Sequence, residues 1–531
     1  MAFFKEKYDA IVIGGALAGM SSALVLASEG CDVLVLERHN LPGGLATSYV
    51  RGGYEIEATL HEMMAIGEKE HPFKIREFLE SMGVDIDWLR VPDAYRLFVP
   101  NLDIDITLHA GFTGSIDNDI YKPGEFLMAH EIDKVYPNTF SEVNRFMNLC
   151  TEVYNSVNIL SVRPISKLGM VLHHANFVRT AGYSTKDVLD TFNLPDKVKD
   201  ILKAYWVYIG SPLEDLPFTI YAVLMSDYFV GGSYVPRYTS HEMSLRMVER
   251  LYQLGVQYEY EQEVDKILVK NGHVYGVRLK SGELIFSNYV VCSAYPNTCY
   301  GKMIEPKEEI PLMAIKNMNS RDMGLSCISV ILILDIPKEE LNINSYSLFS
   351  SESDMDLDKL FKQTYTKGPY DYLTTICLNY ANPECTKEGT SSLSITYLPH
   401  PKAFLDVEAK DYFKLKRKIA REMIETVSKR LGVNLFDHIL EVEVEMPHTI
   451  AHYSSSYMGG IYGYRHSMND HIIARILMQD TENYIKGLAF CGAHAMTGDG
   501  MSPCINSGRN AASLLLKQMK EEAKWFVLKD Y

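Results

Sequence analysis

A glycine-rich turn between two short apolar runs constrains this chain more than any other feature. Ala10 to Ile13 is an apolar run that suits a strand buried on both faces of a parallel sheet. Gly14-Gly15-Ala16-Leu17-Ala18-Gly19 follows, and Leu17 to Ala27 reads as a helix with Gly30 at its C-terminal turn. A second apolar run, Val33 to Leu36, then ends in Glu37. This order of strand, glycine turn, helix, strand and acid is the βαβ unit that holds a dinucleotide. The glycines permit the tight turn, the helix N-terminus receives the pyrophosphate, and the carboxylate accepts from ribose hydroxyls. Ala16 stands where the middle glycine of the pattern belongs, so a methyl group occupies a place where backbone approaches phosphate. Taken alone, the turn also fits an ordinary strand-to-helix connection; the flanking strand and helix, with Glu37, favour the cradle.

Near the other end, Gly487-Leu488-Ala489-Phe490-Cys491-Gly492-Ala493 leads to Gly498-Asp499-Gly500. This block is similar to the place where Rossmann-type flavoproteins return to grip the rest of FAD. The pair implies FAD rather than a dissociable nicotinamide cofactor. Between them, Val264–Val269, an Asn271-Gly272 turn, Val274–Leu279, a Ser281-Gly282 turn and Leu284–Phe286 predict a three-stranded meander. Tyr289 to Ala294 reads as a further buried strand, and His241 to Leu254 as a helix ended by Gly255. Helices are also expected at Asp187–Phe192, Lys197–Tyr205 and about 414–431, and strands at Ile328–Leu334 and Ser392–Tyr397. The expected fold is α/β: a Rossmann-type FAD-binding domain with a parallel sheet and β-meander, plus a discontinuous α+β substrate domain. The first is assigned to residues 1–75, 226–300 and 456–531, the second, a substrate-binding cap, to 76–225 and 301–455.

Composition narrows the partners. A net charge of −16 argues against nucleic acid and against broad electrostatic docking on anionic lipid. Nine cysteines without paired spacing point to a reduced, cytoplasmic setting. No apolar run reaches the ~18 residues of a membrane span. The C-terminal segment, with Leu514-Leu515-Leu516 and Trp525-Phe526-Val527-Leu528, is a candidate peripheral membrane contact, weighed against packing on the protein's own surface. Metal and serine-nucleophile patterns are absent from the sequence: no H-E-x-x-H and no G-x-S-x-G occurs.

The chain resembles the FAD-dependent phytoene desaturase, carotenoid isomerase and retinol saturase superfamily, related to the flavin amine oxidases. The resemblance rests on Glu37 through Pro42-Gly43-Gly44-Leu45-Ala46-Thr47-Ser48, on Gly231-Gly232-Ser233-Tyr234-Val235-Pro236 and on Glu263 to Ile267. Pro447 to Tyr453, Ile461 to Tyr464 and Gly487 to Ala512 complete it. It implies cofactor contacts from Gly14, Gly15, Ala16, Ala18, Gly19, Glu37, Arg38, Gly43, Gly44, Leu45, Val264, Gly492, Asp499, Met501 and Ser502. Val264 would pair with the adenine edge, Asp499 would meet the ribityl or pyrophosphate, and Met501 would lie near the flavin pyrimidine ring. Ser502-Pro503 reads as the N-cap and first turn of a helix running to about Leu516, aimed at the flavin N1–O2 edge. Two stretches depart from the family pattern, Arg237–His241 and Ala493–Gly498, and both fall near the expected substrate or flavin face.

Arg51-Gly52-Gly53-Tyr54-Glu55-Ile56-Glu57 is similar to a stretch in FAD-dependent fatty-acid hydratases, which place an acid shortly after it to protonate or hydrate a double bond. Here His61 and Glu62 stand nearby and are the candidates for acid–base work beside the flavin. Glu55 and Glu57 share one strand face and are expected to meet solvent, and His448, His452 and His494 are expected to be structural. Three functions fit: an FAD-dependent oxidoreductase of carbon–carbon bonds in a long unsaturated lipophilic substrate; a redox-neutral flavin-dependent isomerase or hydratase; and a flavin-free protein that shields a lipid or prenyl group.

Overall fold

The computed structural model describes residues 3–117, 120–162, 166–478, 483–495 and 499–529. Strand β1 (Ala10–Ile13), helix α1 (Leu17–Ser28) and strand β2 (Val33–Leu36) form the expected βαβ unit. Both strands are buried along their whole length. A five-stranded sheet runs 257–259, β2, β1, 290–292, 488–490, and all four pairings are parallel. Residues Gln257, Leu34, Ile11, Val290 and Leu488 lie in one row across it. The sheet therefore draws on the start, the middle and the end of the chain. The meander follows as read from sequence: Val264–Lys270, His273–Leu279 and Leu284–Phe286 pair antiparallel, turning at Asn271 (φ +53°) and Gly272 (φ +73°).

Helix α1 is buried nearly all round, from Leu17 to Leu24 and at Leu26 and Ala27. It needs no polar face, because the sheet covers one side and two helices cover the rest: Thr239–Gln253 and the C-terminal helix Met501–Lys529. The C-terminal helix begins one residue before Ser502 and continues well past Leu516. Ser502 is thus inside the first turn rather than its N-cap, and its hydroxyl donates to the Met64 carbonyl at 2.7 Å. Leu515 is fully buried, and Leu514 and Leu516 pack against the core, so these leucines cover the protein itself. The side chains of Trp525 to Leu528 lie outside the described residues, as do Met496, Thr497 and Gly498.

A second, seven-stranded sheet runs 439–445, 328–334, 391–397, 373–377, 347–350, 95–99, 104–108. Only the 347–350 and 95–99 pair is parallel. Strand Ile328–Leu334 shows why it is a two-sided element. Ile328, Val330, Leu332 and Leu334 pack on helix Ala409–Leu431, while Ile331 and Ile333 pack on Ile56 of the hairpin Ser48–Arg51/Tyr54–Glu57. Alternation by two sends the odd-numbered set, Ser329 included, to the opposite face. A large helical core, including Phe140–Val162 and Phe218–Ser226, completes this half. The nine cysteines are all unpaired.

Two glycines fix the close approaches around α1. A Cβ on Gly19 would lie 1.9 Å from the Gly14 carbonyl oxygen, so only glycine lets the helix sit on its own entry turn. A Cβ on Gly508 would lie 2.1 Å from the Ala18 carbonyl oxygen and 2.8 Å from Ser21 Cβ. Backbone meets backbone there, and neither atom can swing aside. The Gly508→Ala variant is expected to lose about 1–3 kcal/mol of unfolding free energy through overpacking. Denaturant unfolding measures this, and an unchanged midpoint would show that the two helices do not pack this closely.

Candidate functional site

One cavity of about 1240 Å³ runs between the two sheets. That exceeds the usual ~300–1,000 Å³ of a single small-ligand pocket, leaving room for a cofactor and a second molecule. One end is walled by Gly14, Ala16, Leu17, Ala18, Glu37, Arg38, Gly43, Gly44, Leu45 and Val264, and the C-terminal block contributes Gly492, Asp499, Met501 and Ser502. Of the cofactor residues expected from sequence, Gly15 and Gly19 stay outside the wall. Gly15 is filled over by Tyr258, whose hydroxyl oxygen would lie 1.7 Å from an added Cβ. Its N–H donates to Glu37 at 2.6 Å, and the other Glu37 oxygen accepts from the His39 N–H at 2.7 Å. A carboxylate has about four acceptor positions, so Glu37 keeps capacity for ribose hydroxyls. Arg38 spans to the other half of the protein, donating to the carbonyls of His452 and Tyr453 at 2.5 and 2.8 Å.

The cradle suits an anion. Helix α1 has no side-chain cap at Ala16 and no acid in its first turn, so its leading N–H groups have no side-chain acceptor. Ala16 does not block the approach: it bridges to Gly43, whose N–H donates to the Gly15 carbonyl at 2.9 Å, and it remains in the cavity wall. Asp499 gives a second sign. It stands partly buried in the wall, desolvation raises its pKa well above the carboxylate range, and its shielded Oδ1 has no partner among the described residues. An orphaned buried acceptor costs free energy unless a ligand supplies the donor. Ribityl hydroxyls are such donors. The residues present therefore fit FAD.

His61 and Glu62 stand further along the same cavity. Their segment is pinned by reciprocal backbone bonds between Met63 and Tyr234 at 2.8 and 2.9 Å, and by the Tyr346 hydroxyl donating to the His61 carbonyl. Glu62 accepts from the Tyr208 hydroxyl and the Ser233 hydroxyl, both at 2.9 Å. Tyr208 sits among Tyr205, Tyr228 and Phe349, with ring centroids 5.2, 5.6 and 5.5 Å away. This aromatic wall removes water. Burial pushes Glu62 up to about 8, against the lowering effect of its two hydroxyl partners. The same burial pushes His61 down to about 4, and its Nε2 lies 3.3 Å from Thr396 Oγ1. At neutral pH the pair is a neutral imidazole beside a protonated carboxylic acid.

Sequence reasoning missed several wall residues. Thr396, Ser329 and Glu445 lie directly opposite one another on three adjacent strands, and all three face the cavity. Glu445 is buried, which pushes it up to about 7, and it accepts from the Tyr49 hydroxyl at 3.2 Å. Glu57 is only partly exposed rather than open to solvent as expected. Burial raises it to about 7, and Ser240 donates to it through its N–H at 3.0 Å and through its hydroxyl. His494 also lies in the wall, held neutral by burial at about 3. Strand alternation marked the faces of 328–334 and 391–397, yet nothing local marked which face meets the cavity. Tyr208 belongs to no sequence pattern at all.

Comparison with known proteins agrees with this geometry. Residues 133–516 match the family described as flavin containing amine oxidoreductase, and residues 12–79 match an NAD(P)-binding Rossmann-like domain. The chain belongs to the flavin containing amine oxidoreductase family, and its cofactor is FAD. It is 24% identical to a chloroplastic prolycopene isomerase of Daucus carota over 474 residues, covering 86% of this chain and 72% of that protein. It is 23% identical to an all-trans-retinol 13,14-reductase of Rattus norvegicus over 504 residues, covering 89% and 79%. Among solved structures, wild-type putrescine oxidase bound to putrescine superposes with a TM-score of 0.60 at 11% identity, over 96% of this chain and 99% of that one. That likeness establishes the fold.

The raised Glu62 makes stability depend on pH in a definite direction. Its folded value, about 8, lies above the ordinary 4.5, so its favourable contribution is complete below 4.5 and is lost as pH rises through about 8. The Glu62→Gln variant lacks this loss. Between those two pH values the variant is expected to gain on the native protein by on the order of a few kcal/mol. Parallel pH-dependent unfolding curves for the two proteins would contradict the assignment.

Proposed function

We propose, from membership of the flavin containing amine oxidoreductases, that this enzyme acts on carbon–carbon double bonds of a long unsaturated lipophilic substrate. The observation that carries the reading is Glu62, a proton-loaded acid in an aromatic wall that opens into the same cavity as the dinucleotide cradle. Tyr208, Leu224, Tyr228 and Leu398 line that part of the cavity, a surface suited to hydrocarbon. Two relatives are named for a polyene and a retinoid, and we carry that substrate class over to this chain. Residues 1–75, 226–300 and 456–531 then form the FAD-binding unit, and 76–225 with 301–455 the substrate cap. The strands of the parallel sheet fall within the first set and those of the seven-stranded sheet within the second, which supports the division.

Bound FAD supplies hydride transfer to or from carbon. Around it the chain's own groups set position, charge and protons. Uncapped N–H groups of α1 would hold the pyrophosphate, Glu37 the ribose, and Asp499 the ribityl chain. The N-terminal end of the 501–529 helix opens on the cavity at Met501 and Ser502 and would favour negative charge on a group held there. In the saturating direction, with reduced FAD as the hydride source for one carbon, Glu62 would give its proton to the next. The glutamate left behind is held by hydrogen bonds from Tyr208 and Ser233. Desaturation would need the reverse transfers and so would start from an ionised Glu62, the form favoured only above its raised value of about 8. His61, neutral across this range, orients against Thr396 and carries no proton to the substrate.

A redox-neutral reading has one observation in its favour. Burial outweighs the two hydroxyl partners and keeps Glu62 protonated at neutral pH. Protonation at one carbon and deprotonation at another shift a double bond without net oxidation. Product mass separates the two readings. Reduced, FAD-loaded enzyme is mixed anaerobically with a panel of retinoids and carotenoids. Gain of two hydrogens with return of the oxidised flavin band identifies saturation; unchanged mass with altered double-bond geometry identifies isomerisation. No product from any polyene would end both. Under either reading, Glu62→Gln is expected to lower turnover about 10²–10⁴-fold while retaining FAD. Undiminished turnover in that variant would remove Glu62 from the chemistry.

A further inference from the structure

Burial drives carboxyls and imidazoles toward their neutral forms, but a guanidinium keeps its charge. Arg76, on the helix Lys74–Ser81, is only 7% exposed and carries five N–H donors. Its Nε has no hydrogen-bond partner among the described residues. Its ion pair with Glu80 is 3.9 Å long, outside hydrogen-bond range, and the ring of Tyr234 lies 6.0 Å away. A charge enclosed in this way is costly unless an anion meets it.

Arg76 lines a second cavity, of about 540 Å³, which shares no lining residue with the flavin cavity. The acids around it are engaged elsewhere or exposed. Glu68 accepts from the Tyr234 hydroxyl at 2.9 Å and pairs with Arg90 at 3.2 Å, Asp87 pairs with Arg237 at 2.6 Å, and Glu242 pairs with Arg246 at 3.0 Å. Glu70 and Asp85 stand exposed. The other walls are largely apolar, from Ile86, Trp88, Pro236 and Met243. Tyr238, 61% exposed, adds a ring from the Arg237–His241 stretch that departs from the family pattern. Size and charge narrow the guest. The volume falls in the range of ~300–1,000 Å³ that takes small organic molecules, and it is far larger than an inorganic ion needs. The guanidinium fork matches the two oxygens of a carboxylate. Exposed Glu70 and Asp85 disfavour a guest of higher negative charge.

We propose that this second cavity binds a small organic monocarboxylate, with its carboxylate on Arg76 and its apolar body against Ile86, Trp88 and Met243. The site is separate from the flavin cavity and stands independently of the reaction assigned there.

Calorimetric titration of the FAD-loaded full chain with phenylacetate tests the proposal, with phenylacetamide and inorganic phosphate as controls. Phenylacetate is expected to bind, and both controls to bind about tenfold more weakly or less. Arg76→Lys keeps the charge but loses the fork, and should weaken binding. Arg76→Met should abolish binding while retaining FAD, and should melt no lower than the native protein, because it removes an unmatched buried charge. Tyr238→Asp changes only an exposed side chain of the lining, so it tests the site without disturbing the core, and it should also weaken binding of phenylacetate. The proposal fails if phenylacetate does not bind, or if phenylacetamide binds as well. It fails equally if Arg76→Met and Tyr238→Asp both bind phenylacetate as the native chain does. Binding that shifts the flavin absorption band and survives both substitutions would place the probe in the flavin cavity instead, and would overturn the assignment.

Discussion

Close backbone contact at the N-terminus of one buried helix is the constraint on which the rest depends. The carbonyl of Gly14 touches Gly19, and the carbonyl of Ala18 touches Gly508 nearly five hundred residues on. Those approaches lock the start of the chain to its end. They also put the C-terminal block beside the first glycine turn, so that Asp499 and Met501 share a wall with Ala16 and Gly44. The leading N–H groups of the helix are left without a side-chain acceptor at the edge of a large cavity. A parallel sheet buried on both faces supplies the rigidity that holds this geometry.

The second consequence is electrostatic. A water-poor cavity disfavours charge of either sign, so it moves acids up and histidines down. Glu62 and Glu445 rise, while His61 and His494 fall. The part of the cavity around Tyr208, Leu224, Tyr228 and Leu398 thereby keeps its glutamate protonated at neutral pH, which suits an apolar ligand. The aromatic cluster around Tyr208 packs beside Glu62, and rings exclude water without offering a counter-charge.

Much of the fold was legible because it is written locally. Strand, glycine turn, helix and acid follow one another in the first forty residues, and the meander is punctuated by Asn271-Gly272. Ile328–Leu334 was legible as a strand for the same reason. The cavity wall was legible only in part. His61 and Glu62 were found by resemblance, but their opposite protonation states arise from Tyr208, Ser233 and Thr396, which come from distant segments. Ser502 misled because a serine before proline looks like a cap, whereas here its hydroxyl is taken by the Met64 carbonyl and the helix starts a residue earlier. Glu57 misled because strand alternation says which residues share a face and not what covers that face. Helix Thr239–Gln253 covers this one, and Ser240 at its start meets the carboxylate.

The central claim is that a buried, neutral Glu62 shares one cavity with FAD. Titrating the visible spectrum of the FAD-loaded protein tests it most directly, since a carboxyl that ionises beside the isoalloxazine ring shifts its absorption. A spectral transition near the value of about 8 assigned to Glu62, absent from the Glu62→Gln protein, is the expected result. A spectrum that does not change through that range, or a transition that survives the substitution, would contradict the account.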